Sequence, residues 1–485
     1  MSKTTVIYKD VAPGAAEDAE VITSANEAFT SPSLLPETNE QFRVATLEHN
    51  LWTLDGSFSL LNGQPLAFWS TALSDENGAF SAPPVITCEC DEKYSSIGIS
   101  FVFDPETGNY ANSVNVAWYQ GDTVVAQGDF TPDGTSFFCE QIAEGWNKVV
   151  ITFNGTHLPH RRLKLNHIAF GLYRYYGMTD LRGAKIINEM NLLSLEIPVS
   201  TFDWTLDSHD DTQYLFQFRQ PVEVRNDNNL IGVYYINDHK RRSQNLYDIS
   251  CLDAFGVLDY SPFSGGVYSG YSAKLLLTEI LGDAFRLSFE VEDVALYGAI
   301  LPGTKRKAIQ QIAFRLGAVV TTQDNGDVRV FYPDTAQSAI GKDRTYTGVS
   351  TSTDGVVTEV RVTAHTYTES ENGTLEINGV KYTDTKQVFS VVNPDVTVNT
   401  KQNIKEVKNA TLISPDIGQE IAERLYAYYC RRDTNKAKVV WRGEKLSDTV
   451  SVPNAWGGEC VGQLSKMTIT LSNTVAADIE TKGVV

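Results

Sequence analysis

The chain has 485 residues, of which 42% are hydrophobic and 21% charged, a globular balance long enough for roughly three domains. Forty basic against sixty acidic side chains leave a net charge of −20, which argues against coating nucleic acid or an anionic membrane. Thirty-five glycines and 22 tyrosines suit many short strands and turns, and no stretch approaches the ~20 apolar residues of a membrane span. The start, "MSKTTVIYKDVAPGAAEDAEV", lacks the basic-then-apolar order of a secretory signal, so folding in a cytoplasm is expected.

Residues 1–60, with "APGAAEDAEV" and "SPSLLPETNE", read as an extended N-terminal arm with little core, anchored near "ATLEHNLWTLDG". Residues 61–180 change to dense alternation: Ile97, Ile99, Phe101 and Phe103, then Val114, Val116 and Trp118, then Val149, Ile151 and Phe153, then Ile168, Phe170 and Leu172. Four period-2 runs separated by turn text such as "DPETGN" predict an antiparallel β-sandwich. Further short strands, "GVYYI" and "LYDISC", predict a second sheet unit over 181–255.

The span 256–345 reads as an α+β connector. Ser272 caps "AKLLLTEIL", Gly282 ends it, and Phe285, Leu287 and Phe289 alternate in a following strand. Thr304 caps a helix whose buried stripe is Ala308, Ile309, Ile312, Ala313 and Leu316, and Gly317 stops it. Residues 318–322 then form a strand, Asn325-Gly326 a hairpin turn, and Val328 and Val330 the return. In 346–485, Ser414-Pro415 predicts the start of a helix carrying Ile417, Ile421, Leu425 and Tyr428, followed by the strand "AKVVW". A closing sheet alternates at Met467, Ile469 and Leu471.

No metalloprotease, P-loop, nucleophile-elbow or dinucleotide motif is present, so no catalytic residue is assigned and neither a cofactor nor a metal is expected. His157 and His160 in "NGTHLPHRR" lie across a proline with no helix to align them and read as loop residues. Cys88 and Cys90 read as core residues, and His239-Lys240-Arg241-Arg242 as a solvated loop. Asp203, Asp207, Asp210 and Asp211 around His209 lack the spacing of a calcium loop and also read as a solvated loop. Trp118 falls in phase with core positions. Tyr119 on the opposite face, with Tyr173, Tyr175 and Tyr176, supplies the candidate glycan contacts.

From "GVYYINDHKRRSQNLYDISCLDAFGVLD" through "GTKRKAIQQIAFRLGAVVTTQDNGDVRVF" to "SDTVSVPNAWGGECVGQLSKMTITL", about two thirds of the chain resembles the baseplate hub or tail-tip proteins of bacteriophages and phage-like particles. The matching elements are the pattern Thr304-x-Arg306-x-Ala308-x-x-x-Ile312-Ala313 running into Gly317-Ala318 and an Asn-Gly hairpin, and the closing strand pair. "FWSTALSDENGAFSAPPVI" to "HIAFG" resembles a discoidin-like or carbohydrate-binding-module sandwich, a part that many hubs lack.

The resemblance implies a mainly β fold in which 181–255 and 346–485 are tail-tube-like β-barrel or sheet domains lying side by side, joined by the connector. It implies a non-enzymatic structural subunit of a virion or phage-like tail, assembled in the bacterial cytoplasm as a homotrimer. Its partners would be a tail-tube or distal tail protein, a spike or tip protein and other baseplate proteins, with a cell-surface glycan as a further contact and no sequence-specific nucleic acid. An acidic channel lining is a further implication. The alternatives are a glycan-binding adhesin acting through the sandwich, and a glycan-degrading tail enzyme, for which no convincing carboxylate pair is found.

Overall fold

The computed structural model describes residues 4–24, 42–44, 61–63, 68–105, 107–208, 214–227, 229–322, 324–333, 337–346, 349–454, 457–471 and 475–483. Strand accounts for 54% and helix for 11%, so the expected mainly β class with α+β connector units holds. The chain divides into two compact units, one of residues 7–175 and 212–221, the other of residues 1–6, 176–211 and 222–485.

The first unit contains most of β1 (Thr4–Val11) and of β9 (Gly171–Tyr176), with β2 (Glu20–Thr23), β3 (Phe68–Trp69), β4 (Val85–Phe103), β5 (Ala111–Gln120), β6 (Thr123–Phe130), β7 (Ser136–Thr156) and β8 (Lys164–Ala169) between them. One antiparallel sheet runs β3-β8-β4-β7-β5-β6, with β2 also on β4. The alternating runs face its core: Ile99, Phe101, Val114, Val116, Trp118, Val149, Ile151 and Phe153 have no exposed surface. Two layers arise because β4 and β7 bend. Phe101 pairs with Phe137 in the ladder, yet its ring lies 5.6 Å from that of Phe153 at the other end of β7. The bend is made of irregular pairing between Glu89 and Gly98. Gly98 has φ 150°, and a Cβ there would lie 2.0 Å from the Cys139 carbonyl oxygen, so a side chain is excluded.

The arm reading fails at its beginning. Tyr8 is fully buried and Asp10 nearly so, Ala12 N–H donates to Phe170 O at 2.8 Å, and Ala12 and Ala15 join the core. The physical reason is the period-2 text "TTVIYKDV", which buries Tyr8 and Asp10 together. The reading of 25–41 and 45–60, including the proposed anchor, lies outside the described residues.

A closed circuit fixes this strand within its unit. The Tyr8 hydroxyl meets Asp10 Oδ1 (3.0 Å) and the Gln220 side-chain carbonyl, Gln220 Nε2 donates to Asp10 Oδ1 (3.0 Å), and Arg174 Nε donates to Asp10 Oδ2 (3.1 Å). Tyr8 stacks on Phe216, Phe216 on Tyr214, and the Arg174 guanidinium lies over Tyr214. Burial pushes the Asp10 carboxyl up despite the opposing pull of Arg174.

The second unit contains β10 (Leu181–Glu189), β11 (Thr201–Asp207), all but the first residue of β12 (Pro221–Asn226), β13 (Asn229–Arg241) and β14 (Leu246–Leu252). Helices α1 (Ala254–Asp259), α2 (Ala273–Leu281) and α3 (Lys305–Leu316) follow, with the β15–β16 hairpin (Val319–Thr322, Val328–Phe331) after α3. Thr304 Oγ1 accepts from Lys307 N–H, Gly317 takes φ 69°, and Ala308, Ile309, Ile312, Ala313 and Leu316 are buried, as the sequence predicts. Ser272 likewise caps α2 and Gly282 ends it.

The late helix is displaced. Ser414-Pro415 forms a turn whose carbonyls accept from Ile417 and Gly418, and α4 runs Gly418–Tyr429. It packs on a sheet built around β17 (Glu359–Glu369) and β18 (Val380–Val392), where Ile421 and Leu425 join Val360 and Val362. The chain closes with β19 (Asp433–Val440), β20 (Thr449–Pro453), β21 (Glu459–Thr470) and β22 (Ala476–Gly483).

Candidate functional surface

The two expected sheet domains of the second unit are halves of one sheet. Its strands run β12-β13-β14-β11-β10-β21-β22-β19, so 181–252 and 433–483 meet edge to edge. At the seam β10 pairs antiparallel with β21: Lys185 opposite Thr470, Ile186 opposite Ile469, Ile187 opposite Thr468, Asn188 opposite Met467, Glu189 opposite Lys466. Ile186, Ile469 and Met467 are buried on one face, with Phe202, Trp204, Ile249, Ala477 and Ile479.

The opposite face is wet and carries charge in matched pairs. Lys466 Nζ lies 2.9 Å from Glu189, Lys436 Nζ 2.8 Å from Glu480, Arg225 3.0 Å from Glu223, and Arg182 bonds Asp207. Asp203 and Asp207 therefore belong to a strand rather than the expected solvated loop, because Phe202, Trp204 and Leu206 between them are pulled into the core. His209, Asp210 and Asp211 lie outside the described residues. His239, Lys240 and Arg241 are likewise the exposed end of β13, held by pairing to β14, not a loop.

The candidate glycan contacts separate. Tyr119 is half-buried beneath Lys148 Nζ, 5.2 Å from the ring centroid. Tyr173 and Tyr175 point outward on β9 with 37% and 65% exposure. Lys9 Nζ sits over Tyr173 at 5.4 Å, with the His167 ring 6.5 Å away. Burial and Lys9 push the His167 imidazole down. Tyr176 turns the other way and packs 5.7 Å from Trp204. Trp118, Cys88 and Cys90 are core residues. His157 is exposed and stacks on Tyr110 at 4.4 Å. Among the described residues no group of three or more His, Cys, Asp or Glu is placed to hold a metal.

Two features of the second unit have no local sequence signal. On β17, His365 is 4% exposed, with Nδ1 3.0 Å from both Asp384 oxygens and Nε2 3.0 Å from Lys408 O. Both ring nitrogens thus face acceptors, which makes this residue a tie between strands rather than an open base. The other is a cavity of about 1060 Å³ over the seam's apolar side, bounded by Asn188, the start of β13, the β15–β16 turn and the 440–446 loop.

No family model and no curated protein matches the chain. Among solved structures, the tail protein from Neisseria meningitidis MC58 aligns with TM-score 0.47 and 16% identity over 64% of this chain and 94% of that one. The 43 kDa tail protein of prophage MuSo2 from Shewanella oneidensis aligns with TM-score 0.46 and 11% identity over 64% and 95%. The E. coli c3393 protein, described as a type VI secretion component similar to the T4 tail proteins gp27 and gp5, aligns with TM-score 0.41 and 9% identity over 63% and 74%. No helix among the described residues is long and apolar enough to cross a membrane.

Proposed function

We propose that the chain is a structural, non-enzymatic hub subunit of a phage or phage-like tail, closing as a homotrimeric ring between tail tube and tip. The observation that carries this reading is the seam: two sheet halves, about 280 residues apart in sequence, share one ladder and present one continuous wet face. On this reading, two tube-like sheet halves per chain would give three chains six faces, the number a sixfold tube needs, and closed symmetry would leave no open interface. The wet face is the surface assigned to the channel. If this face lines the channel, its matched ion pairs would make a wall that neither holds nor strongly repels a passing polyanion, in place of the acidic lining the resemblance implies.

Neighbouring tube, spike and baseplate proteins are the expected partners, and the tail of the particle the expected location. A second reading, glycan contact by the first unit, is favoured by the outward Tyr173 and Tyr175 beside Lys9. Sedimentation velocity tests the hub reading. A species at three times the 53.6 kDa chain mass supports it, and a monomer that binds cell-surface glycan would put the adhesin in its place.

A further inference from the structure

We propose that the cavity of the second unit is a binding site for a short neutral oligosaccharide, separate from the tyrosines of the first unit. Its volume of about 1060 Å³ is at the upper end of ligand sites, which usually span roughly 300–1,000 Å³. The floor is apolar, formed by Ile231, Met467 and Ile469, and the wall carries Trp441, whose ring is fixed by Nε1–H donating to Glu444 O at 2.9 Å. A fixed indole beside an apolar floor suits the C–H faces of pyranose rings.

The polar groups are of the complementary kind. The Asn188 carboxamide accepts from Tyr234 through Oδ1 and keeps Nδ2 for a ligand, and Asn229 is exposed at the mouth. Carboxamides offer a donor and an acceptor together, as sugar hydroxyls require. The charged side chains lining the cavity are Asp227, Asp324 and Glu444 against Arg329, Arg442 and Lys445, so neither sign dominates, and Lys445 pairs with Asp324, Glu444 with Arg344 and Arg329 with Glu290. A lining balanced in sign favours no one charge on a ligand, and a neutral polyol leaves the ion pairs intact.

The test is calorimetric titration of the full chain with maltotriose, cellotriose, mannotriose and chitotriose, each to about 10 mM, with a heparin tetrasaccharide and an unstructured Gly/Ser-rich peptide as comparators. At least one trisaccharide is expected to bind with Kd below about 1 mM. Trp441→Ala and Asn229→Leu should each weaken it at least about tenfold, while Tyr175→Ala and added salt leave it unchanged. The inference is overturned if no trisaccharide binds, if heparin or the peptide binds in preference, if salt abolishes binding, or if Tyr175→Ala rather than Trp441→Ala removes it. Ring formation measured on the same preparations is independent of this outcome, so loss of sugar binding with rings intact sinks this inference and leaves the hub reading standing.

Discussion

The seam between β10 and β21 can be tested by coupling two residues that sequence alone gives no reason to pair. Ile186 and Ile469 are directly opposite, with 0% and 1% exposure, and are flanked by Phe202 and Ala477. Replacing either by Ala removes three methyl or methylene carbons at about 0.8 kcal/mol each and leaves a space that such a layer fills poorly, so each single change should cost about 3–4 kcal/mol. Because the two side chains face each other across the ladder, the double variant should cost less than the sum by about 1 kcal/mol. Urea unfolding of the four proteins, with matched slopes, gives the coupling. Strict additivity, within about 0.3 kcal/mol, would mean the two isoleucines do not touch, and the joined sheet would be refuted.

Three further outcomes follow from buried positions. Ile312→Asp places an unpaired carboxylate on the fully buried stripe of α3, costing several kcal/mol, and should abolish slow amide exchange over 305–331; retained protection there would contradict the packing. Gly98→Ala should destabilise the first unit by more than about 2 kcal/mol, read as a fall in unfolding temperature, because its Cβ meets Cys139 O; an unchanged transition would remove the bend argument. Asp253, fully buried at the cap of α1, is pushed up to about 6 by burial against 3.8, although Ser200 and Gly256 N–H groups donate to it. Its folded value exceeds its unfolded one, so its stabilisation is complete below about pH 4 and is lost as pH rises to about 6, by about 3 kcal/mol. Asp253→Asn should flatten that part of the stability curve, and parallel pH profiles for the two proteins would contradict the assignment.

What the sequence made legible was local. Period-2 runs placed the core faces of β4, β5 and β7, and Thr304, Gly317 and Asn325-Gly326 set the limits of α3 and its hairpin, because caps and turns are decided by a few neighbouring residues. Pro415 misled: a Ser-Pro pair marks a turn as readily as a first helical turn, and the helix starts only at Gly418. The inward alternation of Tyr8 and Asp10 was present but masked by the polar text after it. The Asp10–Arg174–Gln220 circuit joins segments more than 160 residues apart, which no window contains. The same holds for the seam, whose register is set where two strands meet, and for the cavity, whose walls come from several distant loops. Among the tyrosines, parity separated Tyr173 and Tyr175 from Tyr176 only once the strand bounds of β9 were known.

The most direct test of the ring is electron microscopy of the purified full chain, with class averages sorted by symmetry. The hub account expects closed rings of threefold symmetry and near-sixfold appearance, built from three 53.6 kDa subunits around an open centre. A field of single 53.6 kDa particles at every concentration, still unringed when a tail-tube partner is added, would contradict it.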